Sequence, residues 1–382
     1  MGKRACVLLG IALCLQSAAA MAQELPGGIS AFSIEAETGL VLLEHNADVV
    51  RAPASMVKIM LMLLVVEGLE RGDWTLQTPI EASRHAQRMG GTQVYLHEGE
   101  VHPLEALMIA VAVASANDAA MAVAEGLWGS EEAYLAKVNE RARELGMDSS
   151  EFHSVHGLPP DRGEEPDKTT ARDMAALAQA CVRHPQILEW TSTVSFELRP
   201  AEGKKYTTNT LMRQMPECDG LKTGYIRSAG FCITATAERE GLRIISVVMG
   251  YNDNRARFDL AGRLLQEGLD DVRKERVVIR GVTPAPTVRV ANSETKAVAL
   301  EFSDDLWVTV RRSDWDRILV VLDHPEEMRA PMEAKTKVGE VRVELDGDIL
   351  SQTSIFLPVA LKEAGWMWKV EHAVFSLFGV AD

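Results

Sequence analysis

This chain has no stripe or cluster of basic residues. Its 40 Lys and Arg stand against 55 Asp and Glu, a formal net charge of −15 at pH 7. A polyanion finds nothing to hold on such a surface, so nucleic acid is excluded as a partner. Cysteine is scarce, with five residues in 382. Neither terminal apolar segment can cross a bilayer: residues 5–15 are too few, and the last segment carries Lys369, Glu371 and His372. There is no internal repeat and no low-complexity stretch.

What the N-terminus does hold is an export pattern. Lys3 and Arg4 precede the apolar residues 5–15, and Ala20-Met21-Ala22 forms a small-x-small cleavage site. Leu13 before Cys14 is too large for a lipid-attachment box. Cleavage after Ala22 is therefore expected, and losing Lys3 and Arg4 takes the charge from −15 to −17. The remaining length exceeds what one domain usually holds.

Short alternating runs at 29–34 and 40–43, turned by Glu37-Thr38-Gly39, predict a β-hairpin. Residues 56–70 are almost wholly apolar, which predicts a helix buried on all sides. Helical spacing recurs at 104–127, 130–145 and 168–183. Three antiparallel strands follow at 221–226, 231–237 and 242–249, joined by tight connections. In that hairpin Cys232 is expected opposite Tyr225, with Cys218 well beyond the ladder. Cys181, Cys218 and Cys232 are thus expected as free, buried thiols. Sheet at both ends with helices between reads as α+β.

Near residue 272 the pattern changes. Strand-like runs at 277–279, 287–290, 297–302, 306–310, 317–322 and 341–345 alternate with Pro, Gly and Asp. The expected organisation is a leader (1–22), a catalytic domain (23–271), a small β-rich domain (272–358) and a terminal helix (359–382). In that helix Trp366, Met367, Val370, Ala373, Val374, Leu377 and Phe378 share one face. Trp368 and Phe375 stray to the far side, and the whole predicts an interfacial, membrane-attached helix.

Three motifs carry the chemistry, in the order Ser55-Met56-Val57-Lys58, Ser115-Ala116-Asn117 and Lys222-Thr223-Gly224. Together they supply a nucleophile, a base and a carboxylate anchor, the equipment for acyl transfer through a serine ester. Ser293-Glu294-Thr295-Lys296 repeats the first spacing, but the second and third motifs each occur once. A spacing of three puts Ser55 and Lys58 on one helical face. Burial and a nearby cation, for which Lys222 is the candidate, would strip the Lys58 proton and leave a base for Ser55. Ser115 can pass a proton to a leaving amine and Asn117 can hold a substrate amide. Lys222, Thr223 and the strand glycine Gly224 suit a bound peptide with a terminal carboxylate. Arg257, with its planar fork, is a further candidate for that carboxylate. His153, His156 and Asp161 have the spacing to seed a zinc site but lack a third placed ligand and a base. No cofactor is expected.

Beyond these motifs, Ala36-Glu37-Thr38-Gly39, Asn46-Ala47-Asp48, Pro53-Ala54-Ser55, Ser115 to Ala120, His156-Gly157-Leu158, Thr170-Ala171-Arg172-Asp173 and Asp219 to Gly224 resemble one family. It is the serine-type D-alanyl-D-alanine carboxypeptidases, the low-molecular-mass penicillin-binding proteins. The likeness covers residues 28–260, and the stretch from Ala330-Pro331 to Gly339 resembles the longer, membrane-attached members. It implies a transpeptidase-like catalytic domain acting on peptidoglycan stem peptides, inhibited by β-lactams, on the periplasmic face of the inner membrane. Ser55 would be the nucleophile, Lys58 its base, and Ser115 and Asn117 the second catalytic element. Lys222, Thr223 and Arg257 would bind the carboxylate, and the N–H groups of Ser55 and Tyr225 would form the oxyanion hole. His156 and Asp173 would be structural. The family's threonine two residues after K-T-G is replaced by Ile226, which removes a hydroxyl beside the cleft and leaves the nucleophile untouched. Carboxypeptidase and endopeptidase both fit these residues. A β-lactamase would need a Glu-x-x-x-Asn spacing that is absent between Asn117 and Lys222, and a non-catalytic scaffold would not need Ser55 and Lys58.

Overall fold

The structure, a computed structural model, describes residues 25–368 and Val370. The expected leader at 1–22 lies outside the described residues, as does most of the terminal helix. Two units divide between Asp270 and Asp271.

The first unit begins with β1 (Ser30–Glu35) and β2 (Val41–His45), the expected hairpin. A 3-10 turn, Ala54–Val57, then runs into α1 (Lys58–Arg71). Residues 58–66 of α1 are all buried, and Gly72 stops the helix in the left-handed conformation at φ 79°. Each fully buried Ile, Leu or Met on it contributes about 1.5–3 kcal/mol. The helix is therefore the axis of the unit's core, as its unbroken apolar run predicts.

Around it come β3 (Pro79–Glu81), α2 (Arg84–Gln87), β4 (Val101–Pro103), α3 (Leu104–Val113), α4 (Asn117–Trp128) and α5 (Glu131–Glu144). The single helical stretch expected at 104–127 is broken, because Ser115 takes a φ of +61° that no right-handed helix accommodates. Then follow α6 (Ala171–Cys181), α7 (Pro185–Ser192), β5 (Ser195–Phe196) and β6 (Lys205–Tyr206). The Thr170 hydroxyl caps α6 by accepting from Asp173 N at 3.0 Å.

The chain closes the sheet with β7 (Cys218–Ile226), β8 (Gly230–Arg239) and β9 (Leu242–Tyr251), then α8 (Asn254–Asp271). The order β2-β1-β9-β8-β7 leaves β7 at one edge. Its register corrects one expectation: Cys232 pairs with Gly224, and Tyr225 pairs with Phe231. The turn between the strands is one residue shorter than the sequence suggested. Cys181, Cys218 and Cys232 are free and buried.

Among its described residues the second unit is β, apart from a 3-10 turn and the helical residues 366–368 and 370. Its strands are β10 (Val272–Val278), β11 (Thr287–Ala291), β12 (Ala297–Ala299), β13 (Glu301–Phe302), β14 (Leu306–Arg311), β15 (Ile318–Asp323), β16 (Glu327–Arg329), β17 (Lys337–Leu345) and β18 (Asp348–Phe356). Strands β13-β18-β17-β15 form one sheet, β12-β11-β16 a second, and β10 pairs with β14. Sequence pattern missed β16 and β18. The polar run Ser351-Gln352-Thr353-Ser354 hides β18, which forms because Asp346 and Gly347, at φ 53° and 99°, turn the chain back on β17.

Candidate active site

The 3-10 turn puts Ser55 just ahead of α1, and Lys58 is the first residue of the helix. Ala54 is held at φ +51° to make that entry. Nζ of Lys58 lies 3.1 Å from Ser55 Oγ and donates to Asn117 Oδ1 at 2.7 Å and to the His156 carbonyl at 2.8 Å. The lysine is wholly buried. Burial first, and the positive charge of Lys222 second, hold its amine well below the ordinary lysine range, against the pull of Asp167 and Asp118.

Asn117 opens α4, and its amide is engaged at both ends. Oδ1 accepts from Lys58, while Nδ2 donates to the Gly90 carbonyl at 2.7 Å. The sequence suggested a substrate-holding amide; the structure makes it first a brace for Lys58. Ser115 sits buried in the α3–α4 turn, two residues before Asn117. Asp118 anchors the neighbouring loop by accepting from Val94 N and Leu96 N at 3.1 and 2.9 Å.

His156 enters through its backbone, which no side-chain pattern could reveal. Its carbonyl accepts from Lys58 and, at 3.3 Å, from Ser55 Oγ. Burial, then the charges of Lys58 and His85, lower the ring to about 4. The ring is therefore neutral near pH 7, and Nδ1 accepts from Leu158 N at 3.0 Å. Asp167 holds this loop by accepting from the N–H groups of His153 and Ser154, at 2.7 and 3.0 Å, and from the Ser154 hydroxyl at 2.7 Å. No group of three His, Cys, Asp or Glu side chains among the described residues could hold a metal. Asp173 accepts from Ser149 N and the Ser150 hydroxyl, bracing the start of α6.

Glycines allow the close approaches. At Gly157, φ +77°, a Cβ would fall 2.1 Å from the Ala54 carbonyl oxygen. At Gly224 a Cβ would lie 2.6 Å from the Pro53 carbonyl, so β7 runs directly against the turn that carries Ser55. On β7, buried Lys222 donates to the Thr223 carbonyl at 3.0 Å, and Thr223 Oγ1 to Thr208 Oγ1 at 2.7 Å. Burial and the nearby Arg257 charge lower Lys222 to about 7. Tyr225 is exposed and stacks on Phe231 at 4.2 Å. Ile226 packs against the hydrophobic core of this unit.

Arg257 reaches the back of β7 from α8, but its fork is largely engaged by protein. Nη1 donates to the Gly224 and Cys232 carbonyls at 3.2 and 2.8 Å, and Nη2 to Asn254 Oδ1. Burial lowers it to about 10. It supplies positive potential and ties β7 to β8, where the sequence suggested a bidentate carboxylate clamp. Ser293, from the second S-x-x-K, lies in the β-rich unit and accepts from Thr295 N at 3.2 Å.

The chain is similar to known proteins over most of its length. Residues 16–253 match the family model described as D-alanyl-D-alanine carboxypeptidase, and residues 276–364 match the C-terminal domain of penicillin-binding protein 5. The chain is 32% identical over 342 residues to D-alanyl-D-alanine carboxypeptidase DacF of Bacillus subtilis, covering 88% of this chain and 87% of that one. It is 27% identical over 362 residues to DacA of Escherichia coli, covering 90% and 86%. Among solved structures, penicillin binding protein 5 of Haemophilus influenzae superposes with a TM-score of 0.71 at 22% identity, covering 90% of this chain and all of that one. Penicillin-binding protein D2 of Listeria monocytogenes, in an ampicillin-bound form, gives 0.58 at 30% identity over 65% of this chain and 99% of that one. A serine and a buried lysine braced by Asn117, together with a family model that matches most of the chain, lead to one conclusion: this chain belongs to the D-alanyl-D-alanine carboxypeptidase family.

Proposed function

We propose that this protein is a serine carboxypeptidase that removes the terminal D-alanine from peptidoglycan stem peptides through an ester on Ser55. The observation that carries the reading is Nζ of Lys58, 3.1 Å from Ser55 Oγ in a buried site that favours its neutral form. A neutral amine in that position is a general base.

The peptide pairs along the edge strand β7, and the charges of Lys222 and Arg257 draw its terminal carboxylate. Lys58 takes the Ser55 proton as Oγ attacks the carbonyl of the penultimate residue. The N–H groups of Ser55 and Tyr225 receive the oxyanion. Ser115 relays the proton from Lys58 to the departing amine, the C–N bond breaks, D-alanine leaves, and Lys58 is a neutral base again. Water then attacks the ester, with Lys58 again as base, and Ser55 recovers its proton. A β-lactam presents a like acyl group in a strained ring, and the amine freed when its C–N bond breaks stays tethered to the acyl group, so the ester persists. The ampicillin-bound Listeria relative supports that reading.

Export and membrane attachment belong to the same proposal. The leader pattern supports the first. Trp366, Met367 and Val370, helical and exposed at the end of the described chain, support the second.

The test is covalent. Fluorescent penicillin labels the wild type and Ser293→Ala but not Ser55→Ala, and stem pentapeptides lose one alanine by mass. Undiminished labelling of Ser55→Ala would remove the assignment. Cut cross-links without alanine loss would make the enzyme an endopeptidase.

A further inference from the structure

The turn that presents the His156 carbonyl is held together by side chains from outside it. Phe152 N donates to Asn139 Oδ1 of α5 at 2.9 Å, and His153 N and Ser154 N donate to Asp167 Oδ1 at 2.7 and 3.0 Å. Gly157 N donates to the Ser154 hydroxyl at 2.8 Å, and that hydroxyl gives its own proton to Asp167 Oδ2 at 2.7 Å. Asp167 therefore brackets His156 on both sides, directly at 153–154 and through Ser154 at 157. Burial pushes its pKa up. Both of its oxygens nonetheless accept and neither donates, the pattern of an ionised carboxylate. Between the two brackets, the His156 carbonyl accepts from Lys58 Nζ at 2.8 Å.

Acylation puts a proton on Lys58 in surroundings that disfavour it. The amine is wholly buried, and Lys222 adds a like charge from β7. The His156 ring is neutral near pH 7 and offers no counter-charge. Two carboxylates oppose these effects, Asp167 and then Asp118 of α4. Facing Asp167 in turn are His153 and, from α5, the buried Tyr134.

We propose that Asp167 is a positioning residue for the base: through Ser154 and Gly157 it seats the His156 carbonyl on Lys58, and its charge offsets the ammonium that forms there. The proton moves from Ser55 Oγ to Lys58 Nζ as Oγ bonds the substrate carbonyl, and it leaves again towards the departing amine. Asp167 keeps its charge throughout and touches neither substrate nor nucleophile. The inference rests on the Ser55–Lys58 reading and adds a residue that no sequence motif singled out.

Asp167→Asn tests it, because an amide keeps the size of the side chain and an acceptor for the two N–H groups but removes the charge. For a stem pentapeptide kcat should fall about tenfold or more with KM little changed. The acid limb of kcat/KM should move to lower pH by about one unit, since Lys58 loses an attracting charge. A role in folding alone would lower the unfolding temperature and leave the limb in place. Ser154→Ala keeps the charge and breaks the link to Gly157, and it should slow penicillin labelling of Ser55 about tenfold. It decides the matter by itself should Asp167→Asn misfold. A limb that stays or moves to higher pH in Asp167→Asn, or labelling of Ser154→Ala at the wild-type rate, overturns the proposal and leaves Ser55 as the nucleophile. A wild type that penicillin does not label at Ser55 removes the catalytic reading and this proposal with it.

Discussion

Asn117 Oδ1 lies 2.7 Å from Nζ of Lys58, and the other end of the same amide lies 2.7 Å from the Gly90 carbonyl. A neutral acceptor orients the amine without adding charge. Asn117→Asp would place a carboxylate there, favour the ammonium and raise the Lys58 pKa. The acid limb of kcat/KM should therefore move to higher pH by about one unit or more, with Ser55 labelling slowed in step. An unmoved limb would mean that the base is another group.

Lys222, lowered to about 7, should split the pH profiles of two substrates. Below that pH it is an ammonium and attracts a carboxylate; above it the attraction fades. For a peptide acid, kcat/KM should fall above about pH 7, while the matching peptide amide should hold its rate. Stability should run the other way. The folded pKa lies below the unfolded lysine value, so between them the unfolded chain binds more protons and the Lys222 contribution rises with pH. Parallel profiles for acid and amide would remove Lys222 from the carboxylate pocket.

Gly157→Ala tests how tightly the His156 loop seats against the nucleophile. The new Cβ would meet the Ala54 carbonyl at 2.1 Å, whereas at Gly146, with φ +72°, nothing lies within 4 Å. Both substitutions carry the same backbone penalty of about 1–2 kcal/mol. Only Gly157→Ala should also displace Ser55, costing about 100-fold or more in acylation rate. Equal acylation by the two variants would show that the contact is dispensable.

Removing residues 364–382 should release a soluble enzyme that still cleaves small peptides. The proposed attachment through Trp366, Met367 and Val370 would be apolar, so salt should not release the intact chain. Retention of the truncated form on membranes, or its unfolding, would make the segment part of the fold.

Local pattern was enough for the elements whose side chains share one environment. The unbroken apolar run became α1, the three runs joined by tight connections became β7, β8 and β9, and Ser55 stands one turn from Lys58 because spacing alone sets that distance. Lys222 and Gly224 were legible for the same reason: charge and missing side chain are properties of the residue itself. The folded chain decided the rest. Asn117 reaches Lys58 across 59 positions, and His156 contributes a carbonyl, a group every residue carries and no sequence distinguishes. Arg257 turns its fork to the carbonyls of Gly224 and Cys232, which become neighbours only when β7 pairs with β8. Residue type and spacing follow from the chain alone. Which backbone groups face a buried amine depends on how distant segments pack, and only the tertiary structure determines that.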